Sequence, residues 1–547
     1  MNTFFDKIAN NTKYSLLFLA AISLFFFIGL GNVHLFDWDE INFAESAREM
    51  IASKDYLRVQ INYSPFWEKP PFFFWLQVGA MQVFGITEFA ARFPNAIFGF
   101  LYLITFYFIG KRHYNAKFGL IWALVFFASL LPHVYFKSGI IDPVFNYFIF
   151  LSIYFMILVI NGDSENKMRL SIFAGFFSGF SVITKGPVGF LLLGLTLFVY
   201  LLIKRFKCFP KFKHIIGFLI GFIIILSSWL SMEIYQNGFG ILIQFIEYQI
   251  ELFNSPVAGH DQPFYYHFIV VFLGCFPMSV IALPYLFKSK EETPNDMRKW
   301  LTVLFWVVLI LFSLSTTKII HYSSMTYMPL SFISSLTIYK AVLNEYEFSK
   351  VIRLLYLIIG LIVGLLITAL PIVIYNKELL FPYINDPFAV ESMRHAVEWN
   401  GFEFIIGLIF LLGIIGSFVQ LKRKKHIHFL VKTSATMSVT LLLVVFFILP
   451  KIESFTQGPA ISFYEEISGE DCYVESYGFK SYAQYYYFQT PDGLNENRKD
   501  QAWLLNGKVD KTVYMVSKIT NSELDNNSNF KKIKTVGGFN FYKRELK

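Results

Sequence analysis

The sequence predicts a mainly α-helical, polytopic membrane protein with a small α/β domain at its carboxyl end. Of its 547 residues, 55% are hydrophobic and only 16% are charged. The apolar residues gather in runs of about 17 to 23, the length at which a helix crosses roughly 30 Å of hydrocarbon. Beyond residue 449 the apolar runs shorten to strand length, as in "TVYMVSK", which indicates a folded domain outside the bilayer.

Hydropathy divides the membrane part into about thirteen spans. They fall near residues 14–31, 90–110, 118–134, 140–160, 170–183, 186–203, 215–231, 264–286, 299–315, 325–343, 352–374, 404–421 and 430–449. The first lacks a small-residue cleavage site and is followed by further spans, so we interpret it as a retained helix rather than a secretory signal. The predicted domains are therefore a membrane domain over 1–449 and an external domain over 450–547.

The positive charge is distributed in a way that predicts topology. Lys and Arg gather in alternate loops, as in "KRHYNAK", "KRFKCFPKFK" and "KRKKHIH", whereas residues 232–263 contain neither. The positive-inside rule then places the amino terminus in the cytoplasm, and an odd number of spans places the carboxyl terminus outside. This explains the net charge of +8 better than nucleic-acid binding does. We expect a protein of the cytoplasmic (inner) membrane with a periplasmic or external active site.

The three cysteines carry little information about function. Cys208 falls in a predicted cytoplasmic loop, Cys275 in a span and Cys472 alone in the tail. Neither a disulfide framework nor a thiolate metal site follows from this arrangement.

The least apolar segments are the predicted external ones, and function is expected on that face. They comprise residues 32–89, 232–263, 376–403 and the tail. In the first, Ile41, Ala44, Ala47 and Ile51 share one helical face while Asn42, Glu45 and Glu49 fall elsewhere, which predicts a helix lying along the membrane surface. In the tail, "IKTVGGFNFYKR" predicts two strands around a Gly-Gly turn.

Carboxylates at the start of two predicted helices are candidates for chemistry. In "HLFDWDEINFAE", Asp37 and Glu40 fit a helix-capping box, which leaves Asp39 without a structural role. Near the membrane boundary a carboxylate is costly unless it is solvated or paired. In "SGIIDP", Asp142 precedes Pro143 and fits an N-cap, yet it lies at the same predicted level as Asp39. Two converging carboxylates could serve as base, hydroxyl binder or metal ligand.

Three isolated lysines lie at predicted outer helix ends, against the positive-inside tendency. They are Lys69 in "EKPP", Lys185 in "TKGP" and Lys318 in "STTKIIHY". Each alone could simply extend to lipid headgroups. Together, near short turns, they favour a shared anionic ligand such as a lipid phosphate. His321 and Tyr322 follow Lys318 by three and four residues, so they would face the same side and add donors.

A divalent metal site is a further hypothesis. His260 with Glu68 would begin a zinc, magnesium or manganese site, since imidazole and carboxylate are both suitable ligands. The alternative is a solvated histidine. The adjacent "PFYYH" suits an aromatic interface belt equally well.

A set of motifs, in this order, resembles those of a known family. They are "DWDE", "EKPP" followed by aromatic residues and Trp75, "SGIIDP", "TKGP" and "STTKIIHY". With them, residues 14–450 resemble the bacterial aminoarabinose transferases and the wider protein-mannosyltransferase-like glycosyltransferases of GT-C architecture. The resemblance implies a polyprenyl-phosphate-linked sugar donor, inversion at the anomeric carbon, and a lipid, glycan or protein acceptor at the membrane surface.

The resemblance also implies roles for particular residues. It makes Asp39 the catalytic base, with Asp142 as the second catalytic carboxylate. Phosphate of the donor would be bound by Lys69, Lys185, Lys318, His321 and Tyr322. Glu68 and His260 would bind a divalent metal such as zinc, and Glu40 and Arg48 would support the site.

The expected activity is transfer of 4-amino-4-deoxy-L-arabinose or a hexose to lipid A or another cell-envelope acceptor. One alternative keeps the fold but transfers mannose to protein or glycan. The other is a lipid or sugar transporter, for which charges near the bilayer midplane and internal repeats are expected. The candidate charges collect instead at one face, and no repeat is visible in the sequence.

Overall fold

The computed structural model describes residues 2–240, 243–244, 246–248, 262–288, 293–315, 317–395 and 397–546, and the chain is predominantly helical. The helices of the first half are α1 (Asn2–Ala9), α2 (Thr12–Phe27), α3 (Asp39–Ser53), α4 (Phe72–Phe84), α5 (Glu88–His113), α6 (Ala116–Phe127), α7 (Leu130–Tyr135), α8 (Asp142–Asn161), α9 (Lys167–Lys185), α10 (Val188–Ile203) and α11 (Phe212–Asn237). Those of the second half are α12 (Tyr266–Gly274), α13 (Met278–Leu286), α14 (Met297–Leu314), α15 (Tyr327–Val342), α16 (Lys350–Tyr375), α17 (Pro387–Arg394), α18 (Phe404–Lys422), α19 (His426–Phe447), α20 (Leu449–Thr456), α21 (Gly458–Glu466), α22 (Ala483–Phe488) and α23 (Gln501–Asn506).

Each of the predicted spans coincides with a helix or with two consecutive helices. Within the described ranges, seven helices are long and apolar enough to cross a membrane: α5, α8, α11, α14 with the turn before it, α16, α18 and α19. The pair α12 and α13, bent by 110°, would make an eighth. Shorter apolar helices are α2, α4, α6 and α10. The multi-pass helical fold is thus confirmed, while the number of about thirteen spans stays a prediction.

Helix α3 is buried within the protein, so the prediction of a helix with one exposed polar face is wrong. Residues 40–50 are all buried, including Glu45 and Glu49. The tail covers the polar side, because α3 packs against α4 on one side and against α22 on another. The charges can be buried there because Arg48 donates to Glu45 and to the carbonyl of Thr490 in the tail.

The predicted capping roles of three acids are also wrong. Helix α3 begins at Asp39 and receives no side-chain cap. The Asp37 carboxylate accepts from the amide of Tyr482, and Glu40 accepts from the amide of Phe36. Helix α8 begins at Asp142 itself and has no side-chain cap either, although Pro143 occupies its first turn as expected. These carboxylates are therefore held by other segments of the chain.

The tail contains a four-stranded mixed sheet, which confirms the predicted α/β character. Its strands are β3 (Cys472–Tyr477), β4 (Thr512–Lys518), β5 (Lys531–Val536) and β6 (Phe539–Arg544), in the order β3-β4-β6-β5. Strands β3 and β4 are parallel, and the other pairs are antiparallel. The β5–β6 hairpin turns at Gly537 and Gly538, which both have the positive φ that favours glycine. A two-stranded ladder, β1 (Gln60–Ile61) and β2 (Ser64–Pro65), follows α3. The domain boundary at residue 450 stays a prediction.

One hydrophobic core joins the tail to the membrane part and fixes the first loop. Ile41 and Phe43 of α3 belong to the same buried cluster as Ile461 and Phe541 of the tail. The amide of Leu35 donates to the Tyr487 hydroxyl at 2.7 Å. The tail therefore holds the segment that leads into Asp39.

Candidate active site

A cavity of about 180 Å³ lies where α8, α9, α10 and the turn Ile320–Thr326 meet the first loop. Its lining comprises Glu68, Lys69, Asp142, Phe145, Asn146, Lys185, Val188, Leu192, Phe312, Tyr322 and Met325. Five of these are residues that the sequence singled out for chemistry: Glu68, Lys69, Asp142, Lys185 and Tyr322. The structure thus brings together motifs that are up to 254 positions apart, from Glu68 to Tyr322.

Two lysine–carboxylate pairs form part of the cavity wall. Lys185 Nζ donates to Asp142 Oδ1 at 2.6 Å, and Lys69 Nζ donates to Glu68 Oε1 at 2.6 Å. The Lys185 ammonium also lies 5.2 Å from the centre of the Tyr322 ring, a distance typical of cation–π contact. An ammonium has three N–H donors, so these pairs leave donors for a ligand.

His321 lies between the two candidate catalytic carboxylates. Its Nε2 is 3.3 Å from Asp39 Oδ2 and 3.8 Å from Asp142 Oδ2. Burial lowers the pKa of His321, although the Asp142 carboxylate opposes this shift and Asp39 adds a smaller opposing effect. The imidazole is therefore neutral at pH 7 and can donate to Asp39 from Nε2. The Asp39 side chain is 35% exposed and that of Asp142 is 5% exposed, so Asp39 is the carboxylate open to a substrate.

Local sequence explains how the lysine and the acid meet. Lys185 is the last residue of α9, and Gly186 after it has a φ of 97°, a conformation that favours glycine. Pro187 then precedes α10, so "TKGP" reverses the chain. The carboxyl end of a helix favours a cation and the amino end favours an anion, which suits Lys185 on α9 and Asp142 on α8.

Glu40 supports the first turn of α3 without lining the cavity. Arg92 donates to both of its oxygens, at 3.0 and 2.8 Å, and the amide of Gly139 donates to it as well. Burial opposes ionisation, but the Arg92 charge and the hydrogen bonds from Arg92, Phe36 and Gly139 together outweigh it, so the pKa of Glu40 is lowered. The ionised pair ties the start of α3 to α5 and to the segment before α8.

Five of the described site residues do not line this cavity: Asp39, His321, Glu40, Lys318 and Arg48. Lys318 is buried and donates to the carbonyl of Ser315, and Arg48 faces Glu45 and the tail. His260 lies outside the described residues. In the part of the chain that the structure describes, no group of three or more His, Cys, Asp or Glu side chains could hold a metal ion. The Glu68 carboxylate instead pairs with the ammonium group of Lys69. The metal site stays a prediction.

Sequence reasoning missed a polar network beneath Asp142. Asn146 lines the cavity, and its amide donates to the Tyr135 hydroxyl at 2.7 Å and to Ser324 Oγ at 2.8 Å. Asn146 follows Asp142 by one helical turn, so helical spacing could have identified it. Tyr135 and Ser324 carried no comparable signal.

Comparison with known proteins finds a family match in the first half of the chain. Residues 68–230 match the model of the dolichyl-phosphate-mannose-protein mannosyltransferase family. Over this region the chain is similar to a family of glycosyltransferases. The matched region contains Glu68, Lys69, Asp142 and Lys185, which are four of the residues that line the cavity.

Relatives and a solved structure extend the likeness beyond that region. The chain is 25% identical over 427 residues to the undecaprenyl phosphate-alpha-4-amino-4-deoxy-L-arabinose arabinosyl transferase of Wigglesworthia glossinidia brevipalpis, covering 74% of this chain and 76% of the relative. It is 27% identical over 378 residues to an uncharacterized protein of Aquifex aeolicus, covering 68% and 82%. The crystal structure of ArnT from Cupriavidus metallidurans bound to undecaprenyl phosphate matches with a TM-score of 0.76 at 19% identity, covering 97% and 98%. The predicted resemblance is confirmed, and the fold is that of ArnT.

Proposed function

We propose that this protein transfers a sugar from a polyprenyl-phosphate donor to an acceptor at the membrane surface, with Asp39 as the base. The observation that carries the proposal is the charge cluster around His321. An open carboxylate, Asp39, lies 3.3 Å from this neutral histidine, and the charges of Asp142, Lys185 and Lys69, which line the cavity, also act on it. A displacement that releases a phosphate needs both a base and cations.

The size of the cavity suggests that the phosphate and sugar of the donor bind here and that its polyprenyl chain binds elsewhere. Its volume of about 180 Å³ is below the roughly 300–1,000 Å³ of typical ligand pockets, so it suits a phosphate and a sugar but not a lipid tail. A second, apolar cavity of about 580 Å³ is lined by α10 and α14, the helices that supply Leu192 and Phe312 to the first. We assign the polyprenyl chain to this groove.

The proposed reaction is one displacement. The acceptor hydroxyl or phosphate loses its proton to Asp39 while its oxygen attacks the anomeric carbon. The bond from that carbon to the phosphate oxygen breaks, and its electron pair leaves with the polyprenyl phosphate. Lys69 and Lys185 stabilise the released charge, and their effect exceeds that in water because the site is partly dehydrated. Attack from the face opposite the phosphate inverts the anomeric carbon.

His321 and Asp142 orient the reacting groups. The neutral imidazole lies 3.3 Å from Asp39 Oδ2 and can donate to it from Nε2, which would orient the carboxylate. Asp142 Oδ2 is buried and has no hydrogen-bond partner among the residues that the structure describes, so it is able to accept from a sugar hydroxyl. Asp142 also holds Lys185 in the wall of the cavity.

The identities of the sugar and of the acceptor are further parts of the proposal. We favour 4-amino-4-deoxy-L-arabinose, since several relatives are named as transferases of this sugar. We place the active site on the periplasmic or external face of the inner membrane, on the basis of the Lys and Arg distribution. Lipid A or another envelope component would be the acceptor. The second candidate, transfer of mannose to protein or glycan, is favoured by the description of the matching family.

Replacement of the proposed base tests the reaction. In nanodiscs with a polyprenyl-phosphate sugar, Asp39→Asn should lower turnover by about 10²–10⁴-fold, the usual contribution of a general base. It should still bind polyprenyl phosphate. Asp163→Asn is the matched control, because Asp163 is an exposed aspartate that lines neither this cavity nor the cleft described below. Normal transfer by Asp39→Asn at normal abundance would exclude Asp39 as the base.

The acceptor is tested separately. Mass spectrometry of lipid A, proteins and glycans from a strain that lacks the protein should show loss of one sugar from one of these classes. Loss from lipid A supports the first candidate, and loss of mannose from protein or glycan supports the second.

A further inference from the structure

A second cleft lies beside the active site, between the first loop and the tail. We call this cleft of about 170 Å³ the tail cleft. Three segments that are distant in sequence form it: Asp37 of the first loop, Phe388 of α17, and tail residues that include Lys480 and Lys518. The proposed reaction uses none of these residues.

The two lysines of the tail cleft differ from most other lysines of the tail. Six of the latter are paired with carboxylates: Lys451, Lys499, Lys511, Lys532, Lys534 and Lys543. Among the described residues, no carboxylate lies within 4.0 Å of Lys480 or Lys518. Their ammonium groups lie over aromatic rings instead, 4.5 Å from the centre of Trp38 and 4.6 Å from that of Phe388. The aromatic contacts hold the cations in place and leave their N–H donors free.

The electrostatic balance of the cleft favours an anion. Asp37 is its one acidic lining residue, and its carboxylate already accepts from the amide of Tyr482 and from Ser481. Two ammonium groups against one carboxylate leave a net positive charge. A phosphate, with several acceptor oxygens, can bind two ammonium groups at once.

The position of the cleft links it to the proposed base. Asp37 and Trp38 immediately precede Asp39, so the cleft and the cavity share one short stretch of backbone. Gln457 fixes this stretch, because its side chain accepts from the Asp37 amide and donates to the Leu35 carbonyl. A ligand held in the cleft would therefore lie next to the carboxylate that accepts the proton.

We propose that the tail cleft binds an anionic group of the acceptor, a phosphate or a group like it, through Lys480 and Lys518. This inference rests on the proposed function for the placement of the base. The acceptor then carries the anion in the cleft and its nucleophilic oxygen beside Asp39. The tail is a substrate-binding element in this account, in addition to its packing role.

Binding of inorganic phosphate tests the cleft without any turnover. Phosphorus NMR of the full chain in maltoside micelles, with saturating polyprenyl phosphate to occupy the active-site cavity, measures the affinity of the cleft for added inorganic phosphate. Lys480→Gln with Lys518→Gln should weaken binding at least tenfold. The matched control is Lys508→Gln with Lys531→Gln, which removes two exposed tail lysines outside the cleft and should leave the affinity unchanged. Equal affinity in the two double variants would overturn the proposal.

A transfer assay tests the role in acceptor binding and separates the possible sources of the anion. Reactions contain a polyprenyl-phosphate sugar and either the lipid fraction or the water-soluble fraction of a cell-envelope extract. The cleft variant should raise the apparent KM for the active fraction at least tenfold, with the KM for the donor unchanged. Activity with the lipid fraction identifies a lipid-borne phosphate, and activity with the other fraction a soluble one.

Failure of this inference is distinguishable from failure of the proposed function. If the wild-type chain transfers sugar and the cleft variant keeps the wild-type KM for the acceptor, the cleft does not bind the acceptor and the proposed function stands. If the wild-type chain transfers nothing, the proposed function fails, and the acceptor role of the cleft fails with it.

Discussion

Helix α3 contributes charged residues to two clusters, of which one is open to a ligand and the other is closed. At its amino end Asp39 lies 3.3 Å from His321, and its side chain is 35% exposed. Two to three turns later, Glu45, Arg48 and Glu49 form what we call the anchor cluster, in which no side chain is more than 4% exposed. Arg48 donates to both oxygens of Glu45, at 2.7 and 2.8 Å, and to the carbonyl of Thr490.

The difference shows that burial and pairing alone do not identify an active site. In the anchor cluster an arginine meets a carboxylate in a closed, bidentate arrangement that leaves no room for a ligand. In the cavity, lysines meet carboxylates through single contacts at an open space. Arg48, which the sequence grouped with the site, belongs to the first kind of arrangement. Its role is to attach the tail.

The largest expected effect is on the anchor cluster. Arg48→Met leaves Glu45 buried without its partner, which should lower the free energy of unfolding by about 3–5 kcal/mol. Thermal unfolding of the purified protein measures this. Arg394→Met is the control, because Arg394 forms an exposed pair with Glu391 and should cost at most about 1 kcal/mol. The folded fraction of Arg48→Met should keep its affinity for donor, and a loss of affinity would place Arg48 in the site.

The corresponding change in the cavity should act on turnover. Lys185→Met removes a cation that stabilises the departing phosphate, so turnover should fall by about 10²–10³-fold. Lys204→Met serves as the control, since Lys204 is also paired with an aspartate but lies at the far end of α10. Single-turnover kinetics with saturating donor distinguish the two variants. Equal rates would show that Lys185 has only a structural role.

His321 should have a smaller effect that depends on pH. His321→Asn removes the imidazole that can donate to Asp39, an interaction worth up to about 1.5 kcal/mol, or roughly tenfold in rate. In the wild type, protonation of His321 at acidic pH pairs it with Asp39 and weakens the base. Because burial lowers the pKa of His321 from 6.5, turnover should fall only below that pH. The variant should lose this part of the pH–rate profile, and an unchanged profile would exclude His321 from the titration.

The smallest effect is a change in the pH dependence of stability. Burial and the neighbouring Glu45 raise the pKa of Glu49 to about 9, from an ordinary value of 4.5. Between these values the folded protein keeps a proton that the unfolded chain releases, so stability falls as pH rises through this range. Glu49→Gln should flatten the dependence of the unfolding temperature on pH from about 5 to 9, while Glu40, whose pKa is lowered by Arg92, continues to titrate at acidic pH. An unaltered slope would contradict the shift at Glu49.

Much of the architecture could be predicted from the sequence, because its causes are local. The spans follow from hydropathy, and the β5–β6 hairpin follows from a Gly-Gly pair between two apolar runs. Asp142, Lys185 and Lys69 could be chosen because charged residues at the ends of apolar helices are conspicuous. All three line the cavity.

The errors arose where distant segments determine the environment. The polar side of α3 pointed to a membrane surface, but the tail, more than 400 residues later, covers it. Lys318 has the same sequence signal as Lys185, yet its ammonium is bound by the nearby carbonyl of Ser315 instead of facing the cavity. Nothing in one helical motif reveals a partner that arrives from another part of the chain.

The bond between the Leu35 amide and the Tyr487 hydroxyl has a consequence for the order of events during synthesis. Ribosomes make the first loop early and the tail last, so every membrane helix is complete before the segment that holds Asp39 acquires its tail contacts. A nascent chain therefore completes its membrane helices before the segment that carries the proposed base is fixed. That segment is held in place only once the tail has folded back onto the first loop.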